Sequence, residues 1–483
     1  MRILMISAEG PPLQRAGALI DVMDALPGAL RARGHEVSVT LPYYREIREN
    51  PEFKAEDTGV TVDVQVGDKT YVAEYFEGRS VSGVQLFLIR CDPFFDRPGI
   101  YGEYGEPYED NATRFIFFCK AALEIARRLT PSLQILHVHD WAAALVPVFV
   151  RARHLPFATV LTIHRVAEQG SFWGLDFNLM NLPERFFTLD GVEFFGRLNF
   201  LKGGILYADK ITTVSEHYRR EIQTPAGGHG LDAVLRENAH RLTAIVHGAD
   251  YKRWNPARDR LLPAQYDARR LRGKQVCRDA LLKEMKLTSA PRGPVFGMVT
   301  RVVEEKGFEI LMPLLDRLLW DDVRLIILGE GDPAYETALA IAARKFPGKF
   351  AYKKDYDEKL AHLIEAGMNI SLIPSRFEPA GLSAMYNLKY GALPVARATG
   401  GIQEIIEDFD PTTDRGYGFL CYEYSSDAFW DAIKRAREMY RDGNVWTKLM
   451  KRAMARNFSW NAAAQRYEEL YRQLVGATNE VAA

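Results

Sequence analysis

The chain has 483 residues, of which 47% are hydrophobic and 26% charged, and its 62 Lys+Arg nearly balance its 63 Asp+Glu. This length exceeds what one hydrophobic core usually supports, so two domains are expected. The balanced charge argues against a nucleic-acid partner, and no apolar run approaches the roughly 20 residues of a membrane-spanning helix.

The first half of the chain alternates short apolar or β-branched runs with helical stretches. Strands are predicted at residues 1–7, 36–41, 85–89, 135–138 and 159–163. Helices are predicted at 19–33 and 113–128, and a β-hairpin is expected within 66–84, around Gly67-Asp68-Lys69. This alternation is typical of a doubly wound, mostly parallel sheet.

The second half repeats the same pattern. Strands are predicted at 295–299, 323–328 and 370–373, and helices at 309–319, 335–344 and 359–366. Residues 254–292 are polar, rich in Arg and interrupted by prolines, so the inter-domain connection is placed at their start. A last amphipathic stretch covers 460–475. Two Rossmann-like sheets are therefore expected.

The cysteines and the start of the chain favour a cytoplasmic protein. The four cysteines contain no Cys-x-x-Cys pair, which predicts neither a zinc site nor a disulfide framework and fits a reducing cytosol. They are Cys91, Cys119, Cys277 and Cys421. The apolar start reaches Glu9 and Gly10 before a signal-peptide core can form, so we interpret it as a buried strand.

The most informative segment lies between Pro374 and Gly401. It reads Pro374-Ser375-Arg376-Phe377-Glu378-Pro379-Ala380-Gly381-Leu382, then Tyr386-Asn387-Leu388-Lys389-Tyr390-Gly391 and Ala398-Thr399-Gly400-Gly401. The segment follows a strand-like run, and Gly381 opens a helix-like one. A carboxylate and backbone N–H groups should therefore meet at the carboxyl end of a parallel strand, where an open α/β sheet binds a sugar nucleotide.

Further motifs occur in chain order. They are Pro12-Leu13-Gln14-Arg15-Ala16-Gly17-Ala18-Leu19-Ile20-Asp21-Val22, His139-Asp140-Trp141, Thr162-Ile163-His164, Thr212-Thr213-Val214-Ser215, Gly230-Leu231-Asp232, Trp254-Asn255-Pro256, and Arg301 with Lys306-Gly307. With the segment above they resemble the glycogen and bacterial starch synthases, which are retaining glucosyltransferases of the GT-B fold. The resemblance covers nearly the whole chain.

The resemblance implies an α/β protein with two Rossmann-like, doubly wound domains facing a central cleft. Residues 1–255 would form the acceptor-side domain and 256–457 the nucleotide-sugar domain. Residues 458–483 would form a helix that returns to the first domain. The oligomeric state is left open.

Two cations are expected at the diphosphate of the donor. Arg301 and Lys306 follow the strand 295–299, and both can reach one pyrophosphate, Arg as a fork and Lys as a point charge. From spacing alone they could equally be a solvated loop pair, because Glu304 and Glu305 lie between them. No Asp-x-Asp metal pair lies beside the site, so neither a metal nor a cofactor is expected.

The segment 374–401 supplies the predicted sugar contacts. Glu378 would accept hydrogen bonds from glucose hydroxyls, although a helix-capping role is also open to it. The resemblance adds Ser375 and the N–H groups of Ala380, Gly381 and Leu382. It also adds Tyr386, at the place where many GT-B families carry a second Glu. Tyr356 would stack on the base of the nucleotide, or it could simply be a core residue.

The remaining site residues come from the first domain. The resemblance places His164 at the 6-hydroxyl of the sugar and at the reacting centre, although a His after a strand is more often a core or rim residue. Asp140 and Asp21 would lie near the sugar and the acceptor, and either could instead cap a helix. Arg15, Gly17 and Ala18 would form the N-terminal loop beside the phosphates.

The chain departs from the family pattern at several of these positions. Arg15 replaces a Lys, Ala18 a Gly and His247 an Asn. Ala142 replaces a His, Arg165 an Asn and Ala380 a Cys. Arg15 keeps the charge, whereas Arg165 adds a cation that could serve an acidic sugar or point to solvent.

The resemblance implies a glucosyltransferase that moves glucose, with retention, from ADP-glucose or a related nucleotide-glucose to the 4-hydroxyl at a non-reducing end of an α-1,4-glucan. Its partners would be the nucleotide sugar and the glucan acceptor. Two alternatives stay open: a GT-B transferase with another nucleotide sugar or a small acceptor, and a glucan-binding relative that has lost turnover.

Overall fold

The computed structural model describes residues 1–13, 18–103, 105–128, 132–288 and 293–481. The chain divides into unit 1, Met1–His247 with Trp460–Ala483, and unit 2, Gly248–Ser459. The predicted residues Arg15 and Gly17 lie outside the described part. Among the described residues no helix is long and apolar enough to cross a membrane.

The described strands are β1 Arg2–Ile6, β2 Glu36–Pro42, β3 Ala55–Val66, β4 Lys69–Arg79, β5 Gln85–Arg90, β6 Gly102–Glu103, β7 Glu106–Pro107, β8 Ile135–His139, β9 Ala158–Ile163, β10 Ser171–Trp173, β11 Glu193–Phe194, β12 Arg197–Asn199, β13 Lys210–Thr213, β14 Leu242–Ala244, β15 Val295–Val299, β16 Arg324–Leu328, β17 Phe350–Lys353, β18 Ile370–Ile373, β19 Leu393–Arg397 and β20 Phe419–Cys421.

The described α-helices are α1 Ala18–Ala32, α2 Arg45–Arg48, α3 Asp92–Phe95, α4 Asn111–Arg128, α5 Asp140–Ala143, α6 Leu145–Ala152, α7 Phe200–Tyr207, α8 Glu216–Glu221, α9 Asp232–Glu237, α10 Arg272–Glu284, α11 Phe308–Leu311, α12 Leu315–Leu319, α13 Pro333–Lys345, α14 Glu358–Gly367, α15 Leu382–Lys389, α16 Ile402–Ile405, α17 Ser426–Arg441, α18 Gly443–Met454 and α19 Trp460–Val481.

Unit 1 is built on a sheet with the strand order β14-β13-β9-β8-β1-β2-β5-β4-β3. From β14 to β5 the neighbouring strands are parallel, and β4 and β3 extend the sheet as an antiparallel hairpin. Strand β1 lies in the interior of this sheet, and its apolar run is buried on both faces, as a central parallel strand requires.

The hairpin turns at the predicted place, but its first strand begins earlier than predicted. Strand β3 starts at Ala55, before the expected range of 66–84. Val62, Val64 and Val66 alternate with exposed polar residues along it. The alternation Val60-Thr61-Val62-Asp63-Val64-Gln65-Val66 is the period-two pattern of a half-buried strand, so this part of β3 was available from the sequence.

Helix α19 belongs to unit 1 and packs on α1 and near β9. Tyr467 and Tyr471 on this helix are fully buried. The hydroxyl of Tyr471 lies 2.7 Å from Nδ1 of His137 on β8. The last helix is therefore anchored both by apolar packing and by a buried polar contact.

Unit 2 has a parallel sheet in the order β17-β16-β15-β18-β19-β20. The single helix predicted at 309–319 is wrong in detail, because α11 and α12 are separated by a 3₁₀ turn at Met312–Leu314. Pro313 lies in that turn, and proline cannot donate the backbone hydrogen bond that would continue an α-helix. The overall α/β class with doubly wound parallel sheets is confirmed.

Helix α10 was not predicted from the polar segment 254–292. Its inward face carries Cys277, Leu281 and Leu282, but also the buried cations Lys274 and Arg278. Lys274 donates hydrogen bonds to the carbonyls of Ala366 and Tyr390 at 3.0 and 2.9 Å. These interior cations lower the apparent hydrophobicity by which a core-facing helix is recognised.

Candidate functional site

In unit 1 the predicted residues gather where β8 and β9 end. His139 is the last residue of β8 and pairs in register with Thr162, two residues before His164. Oδ1 of Asp140 accepts hydrogen bonds from the backbone N–H groups of His164, at 2.7 Å, and Arg165, at 3.3 Å. Asp140 thus connects two neighbouring strand ends; these N–H groups lie in a loop, so the hydrogen bonds are not the helix cap that the sequence left open.

Asp140 has two unusual properties for an aspartate. Its φ is 54°, a left-handed conformation that non-glycine residues adopt uncommonly. Loss of hydration raises the pKa of its carboxyl to about 8, although the two N–H donors oppose this shift and the nearby Glu168 and Glu9 add to it. The carboxyl can therefore hold a proton near neutral pH.

Three imidazoles lie together beside Asp140. Nδ1 of His139 is 3.0 Å from Nε2 of His164, and the ring of His164 is 5.0 Å from that of His247. Burial lowers the pKa of His164 to about 3 and holds the pKa values of His139 and His247 well below their ordinary value. At neutral pH the cluster is uncharged and can only exchange hydrogen bonds with a ligand.

Both ring nitrogens of the predicted residue His247 are buried and lack a hydrogen-bond partner among the described residues. Its ring lies 5.3 Å from that of Trp460, the first residue of α19. A buried polar group without a partner is costly unless a water or a ligand satisfies it. This side chain therefore has unused hydrogen-bonding capacity.

Sequence reasoning missed Glu9 and Tyr101 in this part of unit 1. The hydroxyl of Tyr101 donates to Oε1 of Glu9 at 2.9 Å, and the ring of Tyr101 lies 5.5 Å from that of Trp141. The charge of Glu9 contributes to the raised pKa of Asp140. Glu9 could have been predicted, because it follows β1, and the carboxyl end of β1 lies at the same edge of the sheet as that of β8.

Three more of the residues singled out in unit 1 are Asp21, Ala18 and Arg165. Asp21 lies half-buried in the first turn of α1, and Ala18 is the first residue of that helix. Nη1 of Arg165 forms an ion pair with Oε1 of Glu168 at 2.5 Å. The added cation is therefore compensated by a neighbour three residues away.

In unit 2 the predicted carboxylate and one predicted cation meet. Nζ of Lys306 donates to Oε2 of Glu378 at 2.6 Å, and the hydroxyl of the buried Ser375 donates to the same oxygen at 2.9 Å. Lys306 follows β15, and Ser375 follows the adjacent parallel strand β18. Three predicted site residues therefore meet at the carboxyl ends of two adjacent strands.

Arg301, by contrast, does not touch Glu378 in the hydrogen bonds found for the described residues. Its Nη2 donates to Oε1 of Glu305 at 2.7 Å, and its side chain is 47% exposed. The two candidate cations are therefore held by different carboxylates, and Arg301 keeps much of its guanidinium accessible.

Glycine is required where the loops of unit 2 approach each other. Gly307 has φ 79°, and a Cβ there would lie 2.1 Å from the carbonyl oxygen of Pro374. Gly400 has φ 46°, and a Cβ there would lie 2.3 Å from the carbonyl oxygen of Glu378. These contacts hold the loop that carries Glu378 between two neighbouring loops.

Helix α15 begins just after this loop. Gly381 precedes it with φ 70°, and Leu382, its first residue, has no partner within the helix for its N–H. Ala380 is half-buried in the loop. The start of the helix therefore offers backbone donors a few residues after Glu378. Tyr356 lies half-buried just before α14.

A stack of three rings supports Tyr386 on α15. The ring of Trp254 lies 4.8 Å from Tyr386 and 3.8 Å from His362, with interplanar angles of 19° and 12°. Nδ1 of His362 is 2.7 Å from Oδ2 of Asp259, which also accepts a hydrogen bond from Tyr390. This buried support was not predicted.

The two units offer different chemistry. Unit 2 presents Arg301, Lys306, a carboxylate and helix N–H donors, a combination that suits an anionic group next to hydroxyls. Unit 1 presents neutral imidazoles and a carboxyl of raised pKa. No group of three or more His, Cys, Asp or Glu arranged to hold a metal ion occurs in the described part of the chain.

Two protein-family models match the chain. Residues 2–237 match the starch synthase catalytic domain, and residues 283–453 match the glycosyl transferases group 1. A glycogen synthase from Koribacter versatilis is 40% identical over 478 residues, which are 98% of each chain. One from Anaeromyxobacter sp. strain Fw109-5 is 42% identical over 486 residues, covering 98% of this chain and 99% of that one.

The solved structures agree with these matches. The catalytic domain of starch synthase IV from Arabidopsis thaliana, bound to ADP and acarbose, is similar with a TM-score of 0.92 and 30% identity. The likeness covers 98% of this chain and 99% of that one. A sucrose-phosphate synthase from Thermosynechococcus elongatus, at a TM-score of 0.62 and 16% identity, shares the fold.

The raised pKa of Asp140 predicts a pH-dependent contribution to stability. Between the ordinary carboxyl pKa of 3.8 and the folded value of about 8, the folded chain holds a proton that the unfolded chain releases. The proton bound at Asp140 therefore stabilises the folded chain at low pH, and this stabilisation is lost as the pH rises from 3.8 to about 8. Asp140→Asn cannot titrate, so its stability relative to the native chain should improve by at least about 1 kcal/mol from about pH 5 to about pH 9.

Thermal unfolding of both chains across this pH range measures the effect. Asp63→Asn, at an exposed carboxylate on β3, is the matched control and should give a difference that does not change with pH. Parallel pH profiles for Asp140→Asn and the native chain would contradict the raised pKa.

Proposed function

The chain belongs to the glycogen synthase and starch synthase family of glycosyltransferases, and we propose that it transfers glucose, with retention, from ADP-glucose to the 4-hydroxyl at the non-reducing end of an α-1,4-glucan. The likeness to glycogen synthases over 98% of the chain carries this proposal. The ADP in the starch synthase IV structure supports an adenine nucleotide as the carrier of the sugar.

We assign the diphosphate and sugar contacts of unit 2 as follows. Arg301 and Lys306 stabilise charge on the departing diphosphate, and Arg15, which lies outside the described residues, is proposed as a third cation for the reaction. Glu378, oriented by Lys306 and Ser375, accepts hydrogen bonds from glucose hydroxyls. The N–H groups at Ala380, Gly381 and Leu382 donate to the sugar or phosphate, Tyr356 stacks on the base, and Tyr386 borders the sugar.

The residues of unit 1 serve the neutral part of the substrates. His164 and His247 hydrogen-bond to the sugar, and Asp140, Asp21 and the loop with Gly17 and Ala18 border the donor or the acceptor. The uncharged state of the imidazoles suits sugar hydroxyls, which need hydrogen-bond partners and no counter-charge. A cytoplasmic location fits these substrates.

One assay tests the proposal directly. The purified chain is incubated with glycogen and radiolabelled ADP-glucose, and in parallel with UDP-glucose, and labelled glucan is measured. Transfer from ADP-glucose into α-1,4 linkages is expected. Transfer from a different nucleotide sugar alone would re-specify the donor, and glucan binding without transfer from any donor would overturn the enzyme assignment.

Replacing the proposed cations should impair the chemical step. Arg301→Ala and Lys306→Ala should each cost on the order of 2–4 kcal/mol of transition-state stabilisation, because each cation meets charge that grows on the leaving group. The measurement is kcat/KM for ADP-glucose.

Lys345→Ala is the matched control for this pair of variants. Lys345 also forms an ion pair, with Asp316, but it lies at the end of α13, toward the sheet edge opposite the strand ends of the site. Its activity should equal that of the native chain. Native-like activity in both Arg301→Ala and Lys306→Ala would remove these cations from the site.

We further propose that the reaction needs neither a metal nor a cofactor, because the cations carry the charge on the diphosphate. Activity should therefore survive dialysis against EDTA within about twofold. The measurement is the initial transfer rate before and after chelation. Activity that is lost and then restored by magnesium or manganese would contradict this proposal.

A further inference from the structure

His139 is placed to control the chemistry of its neighbour His164. Its Nδ1 lies 3.0 Å from Nε2 of His164, at the ends of two adjacent parallel strands. His139 is 1% exposed and His164 8% exposed. Among the described residues neither ring forms an ion pair, so nothing compensates a positive charge on either one.

Two neutral imidazoles can share a hydrogen bond only if one supplies an N–H and the other a lone pair. Each neutral ring carries a single N–H group. The direction of this hydrogen bond therefore also determines whether the outer nitrogens, Nε2 of His139 and Nδ1 of His164, carry a proton. The contact therefore has two possible arrangements, and they present opposite groups at Nδ1 of His164.

The outer nitrogen of His139 distinguishes the two arrangements. Nε2 of His139 is buried and has no hydrogen-bond partner among the described residues. If His139 carried its proton on Nε2, a buried N–H donor would be left unsatisfied. If it carries the proton on Nδ1, only a ring lone pair is left without a partner, and unsatisfied buried acceptors are better tolerated than unsatisfied donors.

We propose that His139 is a positioning residue that donates from Nδ1–H to Nε2 of His164 and so holds His164 as the Nδ1–H tautomer. Nε2 of His164 is then occupied, and its Nδ1 presents a donor to an oxygen of the sugar. The backbone N–H of His164 is held by Asp140 at 2.7 Å, so both the position and the tautomer of this residue are fixed. The consequence for the sugar rests on the proposed function, whereas the tautomer itself does not.

His137 provides a matched control within the same strand. It lies two residues before His139, on the same face of β8, and the two rings are 4.2 Å apart. Its nitrogens contact the hydroxyls of Tyr471 and Thr162, at 2.7 and 2.6 Å. His137 is equally buried, but its contacts run to these hydroxyls and not to His164.

The tautomer can be measured on the free, full-length protein. Two-bond ¹H–¹⁵N correlation spectra of chain labelled with ¹⁵N-histidine distinguish Nδ1–H from Nε2–H rings, and His164→Gln identifies the signals of His164 by their loss. The native spectrum should show His164 as Nδ1–H. An Nε2–H signal for His164 in the native protein would by itself overturn the proposal.

Three variants test whether His139 sets this state. His139→Phe keeps a ring but removes the donor, and His164 should lose its pure Nδ1–H signature. In His139→Asn the amide nitrogen can take the place of Nδ1, so the signature should be retained, as it should in His137→Asn. An unchanged His164 tautomer in folded His139→Phe would overturn the proposal; if that variant does not fold, the native and His139→Asn spectra decide.

Kinetics then connect the tautomer to the sugar. His139→Phe should lose about tenfold in kcat/KM for ADP-glucose, while His139→Asn and His137→Asn stay within about threefold. The loss should shrink for a donor that lacks the 6-hydroxyl. Equal losses in the Phe and Asn variants would show a purely structural role and overturn the proposal. If the spectra match expectation but no donor is turned over, the proposed function fails and the tautomer assignment stands.

Discussion

One carboxylate in each unit ties together the ends of two neighbouring parallel strands. Asp140 follows β8 and accepts the N–H groups that follow β9, whereas Glu378 follows β18 and accepts from Lys306, which follows β15. Parallel strands end side by side with backbone groups that need partners, and loops of this kind diverge unless something joins them. Asp140 thereby holds the backbone of His164 and Arg165, and Glu378 holds the side chains of Lys306 and Ser375.

The two anchors have different surroundings. Glu378 is met by the ammonium of Lys306 and the hydroxyl of Ser375, a charge-assisted arrangement that suits an ionised carboxylate. Asp140 is met by two neutral backbone donors and lies near two further carboxylates, and its pKa is raised to about 8. Unit 2 therefore concentrates charge, and unit 1 concentrates neutral hydrogen-bonding groups. A transferase of nucleotide sugars needs the first for a diphosphate and the second for sugar hydroxyls.

Periodicity and strand-end motifs predicted much of this arrangement. The parallel strands and the turn of the hairpin follow from local signals in the chain, and Lys306, Ser375 and Glu378 could be singled out because each follows a strand-like run. The residues that escaped prediction depend on contacts between distant segments. His139 matters because β9 lies beside β8, and Asp259 supports Tyr386 only through His362 and Trp254. Helix α10 escaped because its buried face contains Lys274, whose carbonyl partners lie more than 90 residues away in the chain.

The departures from the family pattern leave the electrostatics of the site almost unchanged. Arg165 adds a cation, but Glu168 pairs with it three residues later. His247 could have added a second charge, but burial keeps its ring neutral, as the asparagine of the family would be. A neutral imidazole and an amide both offer one donor and one acceptor side, so the exchange preserves the chemistry that a sugar hydroxyl requires. The Arg165–Glu168 pair and the neutral ring of His247 therefore explain how a chain with several altered site residues can retain the charge pattern expected for ADP-glucose. In that pattern cations face the diphosphate and uncharged groups face the sugar.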